Sequence, residues 1–246
     1  MRILKTAAEL KKHFEKAHTG GGILGCLADT GFLYAYSYDD DRLHNEASGV
    51  FDVLAEFSVP IYSNIISRME FIDLIFRKQV TLAAVQLYEE FNPQSIHKPL
   101  FNVLKNIRDQ NTAHLNKNIS FKVDERRLKK LRNEFEIAAG RIRWNDFCKQ
   151  YIGKTLIREW AVLEQDLGHN FIEILEGEVS DNFNRPVTWP DMVAIMAEFG
   201  LRGPDAMILN LFSKSKFPLL ITTDADFETC LADPLLVPPE KTIFIL

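Results

Sequence analysis

Short, almost continuously apolar runs alternate with longer amphipathic segments along this chain, and that alternation leaves one fold class open to it. Ile23-Leu24-Gly25-Cys26-Leu27-Ala28, Val59-Pro60-Ile61-Tyr62, Pro218-Leu219-Leu220-Ile221-Thr222 and Lys241-Thr242-Ile243-Phe244-Ile245-Leu246 read as strands, and Phe171-Ile172-Glu173-Ile174-Leu175, which alternates only weakly, as another. A strand that is apolar on both faces belongs in a parallel sheet covered on both sides. Strands separated by helices therefore predict an open, mostly parallel α/β sheet of about five strands flanked by helices.

The helical segments carry their own signals. Thr6-Ala7-Ala8-Glu9 has capping-box spacing, with Leu10, Phe14 and Ala17 at helical intervals after it, and Gly20-Gly21-Gly22 ends that helix. A short helical turn at Phe32 to Tyr36 precedes a clearer amphipathic helix over Leu43 to Phe57, where Val50, Phe51, Leu54 and Phe57 share a face. Ser63 is placed to cap the helix that carries Glu70. From there to Gly168 the pattern is almost wholly helical, broken at Asn92-Pro93, Lys98-Pro99 and 116–120, and best formed over Asp124 to Trp144, where Leu128, Leu131, Phe135, Ala138 and Ile142 make one stripe. Near the other end, Thr188 opens a helix that stops at Gly200, and Pro204 suits the first turn of the next.

At 246 residues, with 46% hydrophobic and 26% charged residues, the chain is long enough for one generous globular domain or for one domain carrying an elaborate insertion. No apolar run approaches the roughly 20 residues that cross a bilayer, and charge follows Met1 where a secretory signal would place its apolar core; a cytoplasmic protein with no membrane partner is expected. Cys26, Cys148 and Cys230 are far apart and lack a Cys-x-x-Cys or a His at ligand spacing, so no redox or metal role is assigned to them. Charge is unevenly spread: Phe101 to Trp160 holds fourteen Lys and Arg against seven Asp and Glu, an excess of +7 that leaves −12 for the rest of a chain whose net charge is −5. A basic stretch inside an acidic protein reads either as a solvated helix face or as a footprint for a polyanion. Arg126, Arg127, Lys129 and Lys130, off the apolar stripe of 124–144, are its candidate RNA contacts.

Four acidic patches stand at places that an α/β sheet delivers to one edge. Asp29 follows the first strand and Asp224 the fourth, with only Thr223 between, and ligands of such sheets collect beyond the carboxyl ends of the strands. Glu70 and Asp205 come from helices, Asp205 in a first turn where the helix dipole favours a negative side chain. Each acid taken alone is an ordinary turn, cap or surface residue. Together they repel, since two unit charges about 4 Å apart cost about 4 kcal/mol at an effective dielectric near 20, and a cation must answer them. Oxygen ligands without His or Cys point to Mg²⁺ or Mn²⁺, and the chemistry such sites serve is phosphodiester hydrolysis. Asp29-Thr30-Gly31 also has the look of an aspartic-protease signature, but that chemistry needs two such aspartates on a mainly β scaffold. A haloacid-dehalogenase phosphatase would need a second Asp at position 31, which is Gly, and the glycine run at 20–22 lacks the Gly-Lys-Ser/Thr of a phosphate loop.

Leu27 to Ala35, Asp41-Arg42-Leu43-His44-Asn45-Glu46-Ala47, Arg68-Met69-Glu70, Gly200 to Ala206 and Leu220 to Phe227 resemble the motifs of PIN-domain nucleases, closest to the VapC-like toxin type. The resemblance covers roughly the first 75 and last 60 residues. It implies a single PIN-like domain over 1–246 with a helical insertion at approximately 92–168, and a metal-dependent endoribonuclease acting on RNA. Asp29, Glu70, Asp205 and Asp224 would be its metal-binding and catalytic quartet, Thr222 the hydroxyl that orients the site and Asp226 an auxiliary acid. His44, where the family often has His, reads here as a helix-packing residue. The toxin type further implies a cognate antitoxin, and the apolar stripes of the insertion a homo-oligomer. The alternatives are a catalytically silent PIN-like module that binds RNA or protein, and a PIN-related DNA nuclease.

Overall fold

The computed structural model describes residues 2–17, 25–90, 97–117, 119–137, 143–170, 172–174, 182–232 and 238–246. The chain divides into two units: residues 1–39, 43–71 and 166–246 form the first, and 40–42 with 72–165 the second. The stretch in which a helical insertion at 92–168 is expected thus falls mostly in the second unit, which takes up the chain at Ile72.

The first unit holds a six-stranded sheet in which every pairing is parallel: β1 (Arg2–Leu4), β2 (Cys26–Ala28), β3 (Ile61–Asn64), β4 (Ile172–Ile174), β5 (Leu219–Thr222) and β6 (Thr242–Ile245). The count exceeds the expected five because Arg2–Leu4, read with the first helix from sequence, pairs with β6 as an edge strand. Three residues carry no usable periodicity, so nothing local could have announced it. Residues 23 and 24 and residues 171 and 175, expected as parts of β2 and β4, lie outside the described residues.

The strand order is β1-β6-β5-β2-β3-β4. From β2 the chain moves outward to β3 and β4 on one side, then returns to build β5 and β6 on the other. Strand order therefore reverses between β2 and β5, which is where an open sheet opens a crevice at its carboxyl edge. β2, β5 and β6 are buried at every position, as an inner parallel strand requires. Among the described residues, helices α1 (Ala7–Ala17), α2 (Thr30–Ser37), α3 (His44–Glu56), α9 (Trp189–Phe199), α10 (Gly203–Lys214) and the start of α4 (Ile65–Glu90) belong to this unit, with a 3₁₀ helix at Ala225–Ala232. Ala206, Ile208, Leu209 and Phe212 of α10 pack with Leu27, Leu220 and Ile243 of the sheet in one apolar core.

Local chemistry explains the boundaries. The Thr6 hydroxyl accepts from Glu9 N at 3.2 Å, as the capping-box spacing implies. The Thr188 hydroxyl accepts from Asp191 N at 3.3 Å and opens α9. The cap of α4 is not Ser63. Strand β3 runs two residues further than the sequence suggests, which places the Ser63 hydroxyl within β3, accepting from Arg68 Nε at 2.8 Å. Asn64 caps the helix in its stead, its Oδ1 accepting from Ser67 N at 2.9 Å while its Nδ2 donates to Ser67 Oγ at 3.1 Å. Gly25 leads into β2 at φ +127°, where a Cβ would meet Tyr62 Cε2 at 2.6 Å and Pro60 O at 2.9 Å.

The second unit is helical: the rest of α4, α5 (Lys98–Leu115), α6 (Glu125–Ile137), α7 (Trp144–Phe147), a π-helical turn (Cys148–Gly153) and α8 (Lys154–Asn170) through residue 165. Its core joins Val80, Ala84 and Leu87 of α4 to Leu104 and Ile107 of α5 and Leu131 and Phe135 of α6. Pro99, expected as a break, sits in the first turn of α5, where a missing N–H costs nothing. Ala138 and Ile142 of the expected stripe lie outside the described residues. No helix among the described residues is long and apolar enough to cross a membrane.

Candidate active site

Asp29 ends β2 and begins α2, and three contacts fix it there. Its backbone N–H donates to Ile221 O at 2.9 Å, extending the β2–β5 ladder by one bond. Its Oδ1 accepts from Thr30 N at 2.6 Å, so the carboxylate caps α2. Its Oδ2 accepts from the Thr222 hydroxyl at 2.8 Å. Thr222 is the last residue of β5 and wholly buried, and its oxygen also accepts from Asp224 N at 3.0 Å. One hydroxyl therefore ties the two strand ends at the crevice to each other. Asp224 in turn accepts at Oδ1 from Asp226 N at 2.8 Å, which starts the 3₁₀ helix and presents Asp226 at the surface.

A glycine makes this proximity possible. A Cβ at Gly31, in the first turn of α2, would stand 1.9 Å from Thr223 Oγ1 and 3.1 Å from Thr223 Cβ, so α2 approaches the segment after β5 as closely as only glycine permits.

The helical acids come to the same edge. Glu70, partly buried in the second turn of α4, receives the Thr30 hydroxyl at 3.0 Å on Oε2; the same hydroxyl lies 3.2 Å from Ser67 O. Asp205 sits in the first turn of α10, behind Pro204, where the helix dipole favours it.

Electrostatics record how near these groups are. Burial pushes the Asp29 carboxyl from 3.8 up to about 7; the hydrogen bonds from Thr222 and Thr30 oppose that rise, and the charges of Glu70 and Asp205 add to it. Asp205 is pushed up to about 6 by burial, then by Asp224 and Glu70, with Asp226 adding and Arg202 alone pulling back. The acids thus feel one another, and the exposed Arg202 pulls back on Asp205. They do not converge on a point: among the described residues no three His, Cys, Asp or Glu side chains stand close enough to hold one metal ion together. His44, at the start of α3, donates from Nδ1 to Ala35 O at 3.0 Å and so ties α3 to α2.

Thr30 and Arg202 were not singled out from sequence. Thr30 had a local signal, a hydroxyl one residue after a capping aspartate. Arg202 had none, because its effect on Asp205 depends on α10 facing the crevice.

The basic candidates lie in the second unit and do not form one group. Arg126, Arg127 and Lys130 line a cleft between α5 and α6, whereas Lys129 pairs with Glu125 at 2.9 Å and lies outside it.

No family model matches the chain, and neither a curated protein nor a solved structure shows significant similarity to it.

Proposed function

We propose that the protein is a Mg²⁺- or Mn²⁺-dependent endoribonuclease of PIN-like design, with Asp29, Glu70, Asp205 and Asp224 as its acidic quartet. One observation carries the reading: at the point where strand order reverses, carboxylates from β2, α4, α10 and the segment after β5 act on one another, Glu70 and Asp205 raising Asp29, and Asp224 and Glu70 raising Asp205.

The donor set suits a hard divalent cation. It is oxygen only, and Mg²⁺ keeps several of its waters and binds through one or two carboxylates. Asp29, Glu70, Asp205 and Asp224 are the residues that would hold it. When bound, such an ion supplies a water of lowered pKa and takes up charge on the attacking and leaving oxygens.

The chain's own residues prepare the site. Thr222 and the Thr30 N–H each occupy one lone pair of Asp29, which fixes the carboxylate plane and leaves its remaining lone pairs for a ligand. The Thr30 hydroxyl does the same for Glu70. Asp226, whose backbone N–H is bound by Asp224, would orient a water at the rim.

The deciding experiment incubates the full chain and its Asp29→Asn and Asp205→Asn variants with labelled single-stranded RNA and DNA, with Mg²⁺ and with chelator. Metal-dependent RNA cleavage by the parent, reduced at least about a hundredfold in both variants, supports the assignment. Equal cleavage by parent and variants overturns it, and cleavage of DNA in preference to RNA reassigns the substrate.

A further inference from the structure

We infer that the cleft between α5 and α6 binds one nucleotide of single-stranded RNA, holding its phosphate on Arg126 and Lys130 and reading a base that bears an exocyclic amino group through Asn102, Asn106 and Glu134. The inference rests on the nuclease reading for its choice of RNA, and on the second unit alone for its geometry.

The cleft has a volume of about 560 Å³, within the range of small-molecule sites. Its floor is apolar, formed by Val103 and Ile107, and its walls are polar. Arg126 and Lys130 are four residues apart on α6 and so share a face. Neither has a hydrogen-bond or ion-pair partner among the described residues, unlike Arg127, which is held by Asp124, and Lys129, held by Glu125. Arg126 also stands in the first turn of α6, at the positive end of the helix dipole, where a cation is disfavoured. Asp124 Oδ1 already accepts from Arg127 N at 2.7 Å and caps α6, so a phosphate there answers the charges of Arg126 and Lys130 and not the helix end.

The opposite wall selects the rest of the ligand. Asn102 and Asn106 are again four residues apart, both exposed, and both face the cleft. Paired donor and acceptor groups of an amide match the edge of adenine, and a carboxylate such as Glu134 accepts from the amino group of cytosine or adenine. Uracil offers neither amino group. The amino-bearing edges of adenine and cytosine are open in this way only in single strands, since in duplex RNA they are paired or face a major groove too deep and narrow for side chains to read.

The test separates binding from cleavage. The full-length Asp29→Asn protein, without metal, is titrated into fluorescent oligoadenylate, oligocytidylate and oligouridylate of about ten residues and into a duplex of the same length, across a salt series. Expected are tighter binding of the adenine and cytosine strands than of the uracil strand or duplex, and a loss of at least about tenfold in Arg126→Glu/Lys130→Glu with the salt slope falling by about 0.7, as for one phosphate released. Asn102→Ala/Asn106→Ala should erase the base preference and leave the slope unchanged, and Lys129→Glu should change affinity far less than the double reversal. The cleft side chains substituted, Asn102, Asn106, Arg126 and Lys130, and the control Lys129 are all exposed, so their replacement in the Asp29→Asn background does not threaten folding. Unchanged binding in the double reversal, or equal binding of duplex, overturns the cleft assignment even if the parent cuts RNA. Loss of binding in that variant of a chain that never cuts RNA retains the cleft and overturns the nuclease reading.

Discussion

The Thr222 hydroxyl donates to Asp29 Oδ2 at 2.8 Å, joining residues 193 positions apart and linking the ends of β5 and β2. Because the same oxygen accepts from Asp224 N, one side chain positions two of the four acids. Thr222→Val should leave a buried carboxylate oxygen and an N–H unpaired, at a cost of about 1–3 kcal/mol in urea denaturation. It should also move the Asp29 carboxyl further up, since Thr222 is the largest influence holding it down. Thr222→Ser should restore both. Full stability in the valine variant would remove Thr222 from the organisation of the site.

The raised Asp29 carboxyl makes stability depend on pH with a definite sign. Its value is near 3.8 in the unfolded chain and about 7 in the folded one, so between these values the folded state holds a proton that the unfolded state has released. Its contribution is therefore fully present below about pH 4 and is lost as pH rises through about 7, by up to about 4 kcal/mol. In chelator, Asp29→Asn should gain stability relative to the parent progressively over that window. Parallel pH profiles for the two proteins would contradict the burial of an uncompensated charge at this position.

If the cluster binds a divalent cation, the folded state alone gains from it. At a hundredfold excess over Kd, Mg²⁺ should stabilise the parent by about 2.7 kcal/mol, which for a chain of this length raises Tm by roughly 5–10 °C. Asp29→Asn and Asp205→Asn should each lose most of that rise, as followed by differential scanning fluorimetry. A rise of the same size in all three proteins would place the ion elsewhere.

Gly31 is the position at which α2 meets Thr223. Gly31→Ala forces a Cβ to 1.9 Å from Thr223 Oγ1 and should cost about 1–3 kcal/mol through displacement of the segment that carries Asp224. Thr223→Ala removes the nearest atom and leaves a 3.1 Å contact, so the double variant should recover part of the loss. A double-mutant cycle read by calorimetric Tm measures that coupling; additive effects would show that the approach is not what requires glycine.

Much of the fold and of the candidate site is legible locally. Asp29 and Asp224 are visible as strand-end acids because the apolar runs before them are continuous, and Asp205 because Pro204 marks a first turn. Boundary chemistry is less legible: Ser63 and Asn64 are adjacent residues that both favour a cap, and only the length of β3 decides between them. Strand β1 is hidden by its shortness and exists by pairing with β6 at the other end of the chain. The cleft is invisible for a different reason. Arg126, Arg127, Lys129 and Lys130 read as one basic run, and only the packing of α6 against α5 separates Lys129 from the other three.

The sequence by itself determined what depends on neighbours in the chain: an α/β class from apolar runs between helices, the starts of α1, α9 and α10, and the presence of acids at strand and helix ends. The tertiary structure decided what depends on partners far away: a sixth strand, the reversal of strand order between β2 and β5, the Thr222 bridge, and the influence of Glu70 and Asp205 on Asp29. The division follows from physics. Capping and periodicity are fixed within a few residues, whereas the proton held by Asp29 depends on burial and on charges delivered from α4 and α10, whose places only the packed sheet defines.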